Sequence, residues 1–239
     1  MRLLGLLLLV STVGAVQAES HVIERQYDGF NLWIDCDLRG HVMYKYTLEK
    51  DLYDLDRINK FTLAQDVPAE CQQLSTDTYK VNDVSTYDRG HGVPFNHMEH
   101  TVKAARQTNY MVNVWPQHRD LNRGAMLRTE RIADCYRDLG SVTVYGGIIK
   151  GATPTNTDYL ESHGIVTPGY FWKVLIRKKN AIAWILPNGP GISKSKLDDY
   201  IVSVKNLESI IGYVFPAPEE VKAVKPSRSW IIPELCGWE

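Results

Sequence analysis

The chain has 239 residues, with 27 Lys and Arg against 28 Asp and Glu, and a formal net charge of −1 at pH 7. A protein that binds nucleic acid is commonly basic overall, so any basic surface on this chain must be local. The length suffices for a large buried core in one domain. No internal repeat, low-complexity tract or Gly/Ser linker marks a domain boundary.

The first 18 residues have the pattern of a secretory signal. Met1-Arg2 is a short basic start, Leu3 to Val10 is almost wholly apolar, and Val16-Gln17-Ala18 is a small-residue cleavage site. The apolar run is shorter than the about 20 residues that a membrane anchor needs, and no later stretch is long enough. We therefore expect residues 19–239 to form a single domain that is secreted or periplasmic and has no membrane segment once the signal is removed.

Four cysteines follow the predicted signal. In an exported protein an even number of cysteines indicates disulfides, and four cysteines allow three pairings. We expect two disulfides among Cys36, Cys71, Cys135 and Cys236.

Two strands and a long loop come first in the chain. Phe30 to Asp35 and His41 to Leu48 alternate and are rich in β-branched and aromatic residues, which predicts half-buried strands. Asp51 to Ser85 is polar and irregular, which predicts a loop with short helical pieces. Arg57 lies in this loop, and its position alone favours a surface ion pair.

The next stretch contains Asp88-Arg89-Gly90-His91-Gly92-Val93-Pro94, after a strand-like run from Val84 to Arg89. It combines a carboxylate, a cation and an imidazole with glycine and proline, which is hard to explain by packing. The glycines on both sides of His91 allow a sharp turn and leave space for a ligand near the ring. An imidazole that titrates near neutrality suits a general base that takes a proton from water.

Two further histidines give an alternative. His97 and His100 could share one face of a helix at an i, i+3 spacing. Together with His91 they could hold a catalytic zinc ion, as three histidines do in some hydrolases. The spacing is not a recognised signature, and no acidic base is built into it.

A helix is predicted from about Asn122 to Leu139, ending at Gly140. Asn122 and Glu130 are eight residues apart, a little over two turns, so both side chains can face one side. A carboxamide and a carboxylate in this arrangement can hold a hydrated hard cation, with the amide oxygen bound directly and the carboxylate bound to its waters.

The remaining sequence is interpreted as framework. Ser141 to Ile149, Phe171 to Ile176 and Ala181 to Leu186 are apolar, β-branched runs that predict central strands of a mainly antiparallel sheet. Leu197 to Ile211 has apolar residues at helical intervals. The residues after Pro216 have the composition of a tail.

Taken together and in order, these motifs closely resemble the DNA/RNA non-specific endonuclease family. The resemblance is carried by Asp88-Arg89-Gly90-His91, Asn113-Val114-Trp115-Pro116-Gln117, Leu121-Asn122-Arg123-Gly124 and Glu130, with later landmarks that extend it over roughly Asn31 to Phe215. It implies an α+β fold of the ββα-metal (His-Me finger) type, with a central mainly antiparallel sheet flanked by helices. For the segment from Leu197 to Ile211, the resemblance implies a strand-like start followed by a short helix from about Asn206.

The resemblance also implies roles for individual residues. In this interpretation His91 is the general base, Asn122 is the direct ligand of Mg²⁺ (or of Mn²⁺ as a substitute), and Glu130 orients water at the metal. Asn113 supports the site, and Arg89 contacts phosphate or braces the His91 loop. Arg57 is the candidate for a more distant phosphate-binding arginine. The implied substrates are DNA and RNA. Contacts to phosphate and sugar carry no base information, so we expect little sequence preference.

The chain departs from the family pattern at one position of direct chemical consequence. Many members have an arginine four residues after the glutamate, where this chain has Asp134, and Arg131 or Arg137 is the nearest substitute. The second hypothesis is a nucleic-acid-binding or toxin-like protein on the same fold, with weak or lost catalysis, against which the intact His91 and Asn122 argue. The sequence leaves open a homodimer and an inhibitor partner.

Overall fold

The computed structural model of the chain describes residues 21–151, 156–232 and 236. The predicted secretory signal, residues 1–18, lies outside the described residues. Within the described part of the chain, no helix combines the length and the apolar character that crossing a membrane requires.

The framework is a seven-stranded sheet in which every neighbouring pair is antiparallel. The strand order is β1-β2-β3-β6-β7-β8-β9, and β4 and β5 form a separate two-stranded sheet. The strands are β1 Val22–Gln26, β2 Phe30–Asp35, β3 Gly40–Leu48, β4 Tyr87–His91, β5 Val114–His118, β6 Val142–Ile148, β7 Tyr170–Arg177, β8 Asn180–Pro187 and β9 Ile201–Val202.

Short helices connect these strands. They are α1 Val102–Thr108, α2 Arg119–Leu121, α3 Leu127–Arg137, α4 Leu160–His163, α5 Val204–Ile211 and α6 Glu219–Lys222, with a π-helical segment at Asn122–Met126 and 3₁₀ turns at Ala69–Cys71, Phe95–His97, Met111–Asn113 and Lys194–Tyr200. Side-chain caps fix the starts of α1 and α5, because Thr101 accepts a hydrogen bond from the Ala104 amide and Ser203 accepts one from the Asn206 amide.

The central strands are buried on both faces, which explains their nearly continuous apolar sequence. Along β7, Phe171 and Leu175 belong to the larger core, while Trp172, Val174 and Ile176 belong to a second core on the opposite face. The second core is completed by residues of and after α5. The larger core lies on the face that carries the two-stranded sheet and α3.

Most of the predicted elements are present. The three central strands and the two early strands lie within one residue of their predicted ends, and the region before β4 is irregular apart from one 3₁₀ turn. Between Leu197 and Ile211 the chain forms the end of a 3₁₀ turn, the short strand β9 and then α5. The strand-like start implied by the family resemblance is therefore confirmed, and α5 begins two residues before the predicted position.

Two disulfides are formed, as expected. Cys36 pairs with Cys71, and Cys135 pairs with Cys236. The first joins the end of β2 to the loop that precedes β4. The second fastens the C-terminal segment to α3.

Candidate active site

The candidate site is built on β4, β5 and the helical segments that follow β5. Strands β4 and β5 pair in antiparallel register, with His91 opposite Val114 at one end. The chain then passes directly from β5 into α2, the π-helical segment and α3. This ββα arrangement brings the end of β4 next to the start of α3.

His91 lies at the end of β4, and its ring is hydrogen-bonded to Asn109. The Nε2 atom is 2.8 Å from Oδ1 of Asn109, whose Nδ2 donates to the carbonyl oxygen of Ile58 at 2.6 Å. A carbonyl can only accept, so this contact fixes which amide atom faces the imidazole. Nε2 therefore carries the proton. Nδ1 has no hydrogen-bond partner among the described residues and is the basic atom.

The glycines beside His91 serve packing rather than ligand access. A Cβ atom on Gly90 would collide with the side chain of Gln117, and one on Gly92 would lie 2.6 Å from Nε2 of His41. The prediction that these glycines leave room for a ligand is therefore wrong. They let the neighbouring side chains approach the backbone and hold the strand end in place.

An aromatic ring supports both His91 and Arg89. The guanidinium of Arg89 lies 3.8 Å from the ring centroid of Phe61, and the His91 ring is 5.3 Å from the same ring. Arg89 also donates a hydrogen bond to the carbonyl oxygen of Thr76. Burial is the main reason that the pKa of His91 is lowered to about 4, with a smaller contribution from Arg57 and Arg89, while the bond to Asn109 acts in the opposite direction.

Asp88 orients Asn122 and Arg123. Its carboxylate accepts a hydrogen bond from Nδ2 of Asn122 at 3.0 Å and a bidentate pair from Arg123 at 2.8 and 2.7 Å. Burial alone would raise the pKa of Asp88, but the bonds from Arg123 and Asn122 lower it. Because Nδ2 of Asn122 is engaged, its Oδ1 is the atom available to a cation.

The predicted regular helix from Asn122 to Glu130 is interrupted. Asn122–Met126 is π-helical, and Gly124 has non-helical angles of φ −104° and ψ −109°. A Cβ atom on Gly124 would meet the carbonyl oxygen of Ile192, to which the Ala125 amide donates at 3.2 Å. The simple count of two helical turns is therefore wrong, although Asn122 and Glu130 still face one cavity.

This cavity of about 320 Å³ brings together five of the six predicted site residues. Its lining includes Arg57, Arg89, His91, Asn122, Arg123 and Glu130. An adjoining cavity of about 340 Å³ shares both Arg57 and Arg89 and extends toward Phe61 and Tyr87. Arg57 is exposed and lies 6.0 Å from the ring of Phe95, so it faces the site rather than forming the surface ion pair suggested by its position in the sequence.

Asn113 is framework rather than lining. It is fully buried, its Oδ1 accepts from the Val93 amide, and its Nδ2 donates to the carbonyl oxygens of Val93 and Thr108. These bonds hold the turn that follows His91. Its side chain contacts backbone and does not line the cavity, so the structure places it in support of the site.

The three histidines of the zinc hypothesis do not converge. His97 is hydrogen-bonded to Tyr46 and lies 3.0 Å from Asp134, while His100 is hydrogen-bonded to Asp28. Within the described ranges, no group of three His, Cys, Asp or Glu residues could hold a metal ion. The zinc interpretation is therefore wrong for this part of the chain.

Asp134, the departure from the family pattern, points inward. It lies 3.0 Å from Nε2 of His97 and 3.6 Å from Nη1 of Arg137. Arg137 is buried and also donates to the carbonyl oxygen of Glu49 and to Asp51. Arg137 is thus committed to the framework and does not substitute for the missing arginine.

The donor set fits a hard, hydrated divalent cation. Asn122 offers one neutral oxygen, and Glu130 offers a carboxylate in the same cavity. Such a cation keeps most of its waters when a site supplies few direct ligands, and oxygen donors are the ligands it prefers. A thiolate or imidazole cluster suited to zinc is not found in the described part of the chain.

Asn109 and Phe61 are the site residues that sequence reasoning missed. Asn109 is 18 positions from His91, and Phe61 lies in a loop with no regular pattern. The only sequence signal was that Asn109 lies four positions before the motif residue Asn113, which does not identify a contact, and Phe61 had no sequence signal. Their roles depend on how the loop before β4 folds back over the strand end.

Comparisons with known proteins identify one family. The family model described as DNA/RNA non-specific endonuclease matches residues 10–221. The chain is 25% identical over 191 residues to the mitochondrial nuclease EXOG of Mus musculus, covering 73% of this chain and 51% of that protein. It is 29% identical over 161 residues to a nuclease of Serratia marcescens, covering 63% and 59%. The chain spans about half the length of the curated relatives it matches.

A solved structure has the same fold. The chain superposes on a chain of the EndoG/EndoGI complex, a structure that concerns the mechanism of EndoG inhibition, with a TM-score of 0.67 and 20% sequence identity. The match covers 83% of this chain and 86% of the other. It confirms the predicted α+β class and agrees with the predicted ββα-metal architecture.

Proposed function

The chain belongs to the DNA/RNA non-specific endonuclease family, and from this premise we propose that it is a Mg²⁺-dependent endonuclease that hydrolyses phosphodiester bonds of both DNA and RNA. The observation that carries the proposal is the cavity in which an imidazole with a free Nδ1, an oriented carboxamide and arginines meet. Phosphodiester hydrolysis needs an activated water and neutralisation of the charge that develops on the phosphate.

His91 is the general base in this proposal. Nδ1 accepts a proton from the attacking water, while the bond from Nε2 to Asn109 keeps the ring in the required tautomer. The lowered pKa leaves the imidazole neutral at physiological pH, so the base is ready before substrate binds. Phe61 holds the ring from one side.

Charged and amide groups of the cavity bind the phosphate and the metal. Arg57 and Arg89 would contact phosphate oxygens. Asn122, with its free Oδ1, would hold Mg²⁺, and Glu130 would act on the water around the ion. When bound, the ion supplies Lewis-acid stabilisation of negative charge on the phosphate and on the leaving oxygen. Mn²⁺ has the same ligand preference and is the expected substitute.

The charged side chains that line the cavity with His91 are arginines and a glutamate, which recognise phosphate and metal rather than the edges of nucleobases. We therefore propose cleavage with little sequence preference and tolerance of both deoxyribose and ribose.

The proposal is tested with purified protein on a supercoiled plasmid and a structured RNA, with Mg²⁺ and with chelator. We expect Mg²⁺-dependent degradation of both and a loss of about 100-fold or more in His91→Ala, because a general base contributes roughly this much. His100→Ala is the matched control, since His100 bonds to Asp28 outside the cavity, and it should retain activity. A folded wild-type protein that binds but does not cleave would support the binding or toxin-like hypothesis.

We also propose that the protein is exported and that residues 19–239 form one domain. Two disulfides in the described structure suit an oxidising compartment. N-terminal sequencing of the protein from culture medium or periplasm should begin at Glu19. Limited proteolysis should leave one resistant fragment, and a stable product cut within the described sheet would contradict the single-domain arrangement.

A further inference from the structure

A charged side chain lies buried directly behind the proposed site. Lys173 is in the middle of β7 and is 1% exposed, on the same face as its core neighbours Phe171 and Leu175. Its partner on β6 is Gly146, which has no side chain, and its partner on β8 is the buried Trp184. Its Nζ has no hydrogen-bond partner among the described residues. Such a position usually takes an apolar residue, because an unpaired buried ammonium strongly destabilises the folded state.

Glu130 is the acid that compensates this ammonium. Nζ of Lys173 lies 3.5 Å from Oε1 of Glu130, a distance that makes an ion pair without a well-aligned hydrogen bond. Asp134, the next acid along α3, is already held by His97 and Arg137. Burial lowers the pKa of Lys173, and Glu130 is the largest influence that opposes this shift. The ion pair therefore connects the central strand β7 to the wall of the candidate site.

The position of Glu130 matters for a cation at Asn122. A carboxylate beside a hard divalent ion tends to coordinate it directly. An ammonium fixed behind the carboxylate opposes this, because direct coordination would leave Lys173 buried without its counter-charge. A fixed charged group behind a site residue determines the orientation of that residue toward the metal.

We propose that Lys173 is a positioning residue that holds Glu130 in the cavity wall, where its carboxylate orients water at the metal and is kept from coordinating the metal directly. The inference rests on the proposed function. Under this inference Asn122 is the single direct protein ligand of the metal, because Lys173 restrains the carboxylate of Glu130.

Lys173→Met removes the charge and keeps much of the length of the side chain. We expect the metal-free protein to bind Mn²⁺ at least threefold more tightly, measured by calorimetry or electron paramagnetic resonance, because the released carboxylate then reaches the ion. We expect kcat on plasmid and RNA to fall tenfold or more, because water is no longer oriented. Tighter metal binding combined with slower turnover is a signature that a merely structural lysine would not give.

The double variant Lys173→Met/Glu130→Gln removes both charges and has no unpaired ion to unfold it. It should bind Mn²⁺ no more tightly than wild type and should cleave no more slowly than Glu130→Gln alone, because Lys173 acts only through Glu130. Its Tm should exceed that of Glu130→Gln, in which the buried ammonium is unpaired. The proposal would be overturned if the loss of activity in the double variant equalled the product of the losses in the two single variants.

Lys222 provides the matched control. It is 2% exposed and pairs with Glu208 at 3.0 Å, at the opposite core of the sheet. Lys222→Met should lower Tm and leave Mn²⁺ affinity and kcat unchanged. Wild-type Mn²⁺ affinity and kcat in Lys173→Met would refute the role of Lys173. A wild-type protein that cleaves nothing would refute the proposed function instead, and the Mn²⁺ comparison would still decide whether Lys173 restrains Glu130.

Discussion

His91 depends on a single amide for its chemistry. Asn109 accepts from Nε2 and is itself fixed by the carbonyl oxygen of Ile58. Without that acceptor the proton could reside on either ring nitrogen, and the ring would lose one of its two supports. The other support is the ring of Phe61.

Asn109→Leu should therefore lower kcat about 10-fold to 100-fold, the range expected when a residue that orients an active group is removed. KM should change less, because Asn109 does not line the cavity with the arginines. Steady-state kinetics on plasmid DNA would measure both values. Equal kcat in the variant and in wild type would mean that the tautomer is fixed in another way.

Asn109→Asp is the informative companion variant. It also loses the donor to Ile58 but keeps an acceptor for Nε2, and its negative charge favours the protonated imidazole. The pKa of His91 should rise from its lowered value of about 4. The acid limb of kcat/KM should therefore move to higher pH, while activity on the alkaline side should exceed that of Asn109→Leu.

The π-helical segment between α2 and α3 decides how Asn122 and Glu130 face each other. Gly124 lets the backbone depart from helical angles and approach the carbonyl oxygen of Ile192. The extra residue per turn changes the angle between side chains before and after it. The site geometry thus depends on a backbone contact with a loop about 70 residues away.

Gly124→Ala should damage this arrangement. A Cβ atom there meets backbone that cannot rotate away, so we expect a loss of about 1–3 kcal/mol in the free energy of unfolding. Displacement of Asn122 should also raise the Mg²⁺ concentration needed for half-maximal activity severalfold. Urea denaturation and a Mg²⁺ titration of plasmid cleavage would measure the two effects.

Gly189→Ala is the control for Gly124→Ala. A Cβ atom on Gly189 would have no atom within 4 Å, and Gly189 does not have a positive φ. It should unfold with nearly the free energy of wild type and need the same Mg²⁺ concentration. Similar losses in both variants would indicate a general cost of replacing glycine and not the predicted collision.

Sequence patterns predicted the elements well but not their local irregularities. Continuous apolar runs predict that β7 and β8 are strands buried on both faces, since every residue in a strand contributes to that signal. The π-helical segment depends on one contact between Gly124 and Ile192, which no local pattern encodes. Lys173 is similar, because its sequence neighbours predict only a buried strand and its partner lies on α3.

At the scale of the molecule, one disulfide connects the framework to the region that braces the site. Cys36 directly follows β2, and Cys71 lies two residues before Gln73, whose Nε2 donates to the carbonyl oxygens of Met111 and Val114. The loop before β4 has little regular structure of its own. The crosslink therefore limits how far this loop can move from β5.

Replacing this pair by serine should destabilise the protein by about 4 kcal/mol, the chain-entropy value for a crosslink that closes a loop with a sequence separation of 35. Denaturant unfolding of Cys36→Ser/Cys71→Ser against wild type would measure the loss. Activity at low temperature should persist, because neither cysteine lines the cavity. An unchanged free energy of unfolding would mean that the loop is held by its hydrogen bonds alone.

His41 links the stability of the whole molecule to pH. It lies in β3 and is buried against the turn after His91. Its Nδ1 is 3.0 Å from the carbonyl oxygen of Val112, and Nε2 has no hydrogen-bond partner among the described residues. Burial lowers the pKa of His41 to about 4. The folded state therefore keeps the ring neutral at pH values where an unfolded chain, with a histidine pKa near 6.5, binds a proton.

The free energy of unfolding should consequently decrease as the pH falls from about 6.5 to about 4, because the unfolded state gains protons that the folded state cannot take up. The contribution of His41 reaches up to about 3 kcal/mol, from a pKa difference of about 2.5 units. Asp88 and Asp134, whose pKa values are lowered from 3.8, lose their stabilising effect only below this window.

His41→Asn keeps a donor for the carbonyl oxygen of Val112 but does not titrate. Urea unfolding at several pH values should therefore show a shallower decline in the free energy of unfolding for this variant than for wild type. Parallel curves for the two proteins would mean that His41 does not supply the pH dependence.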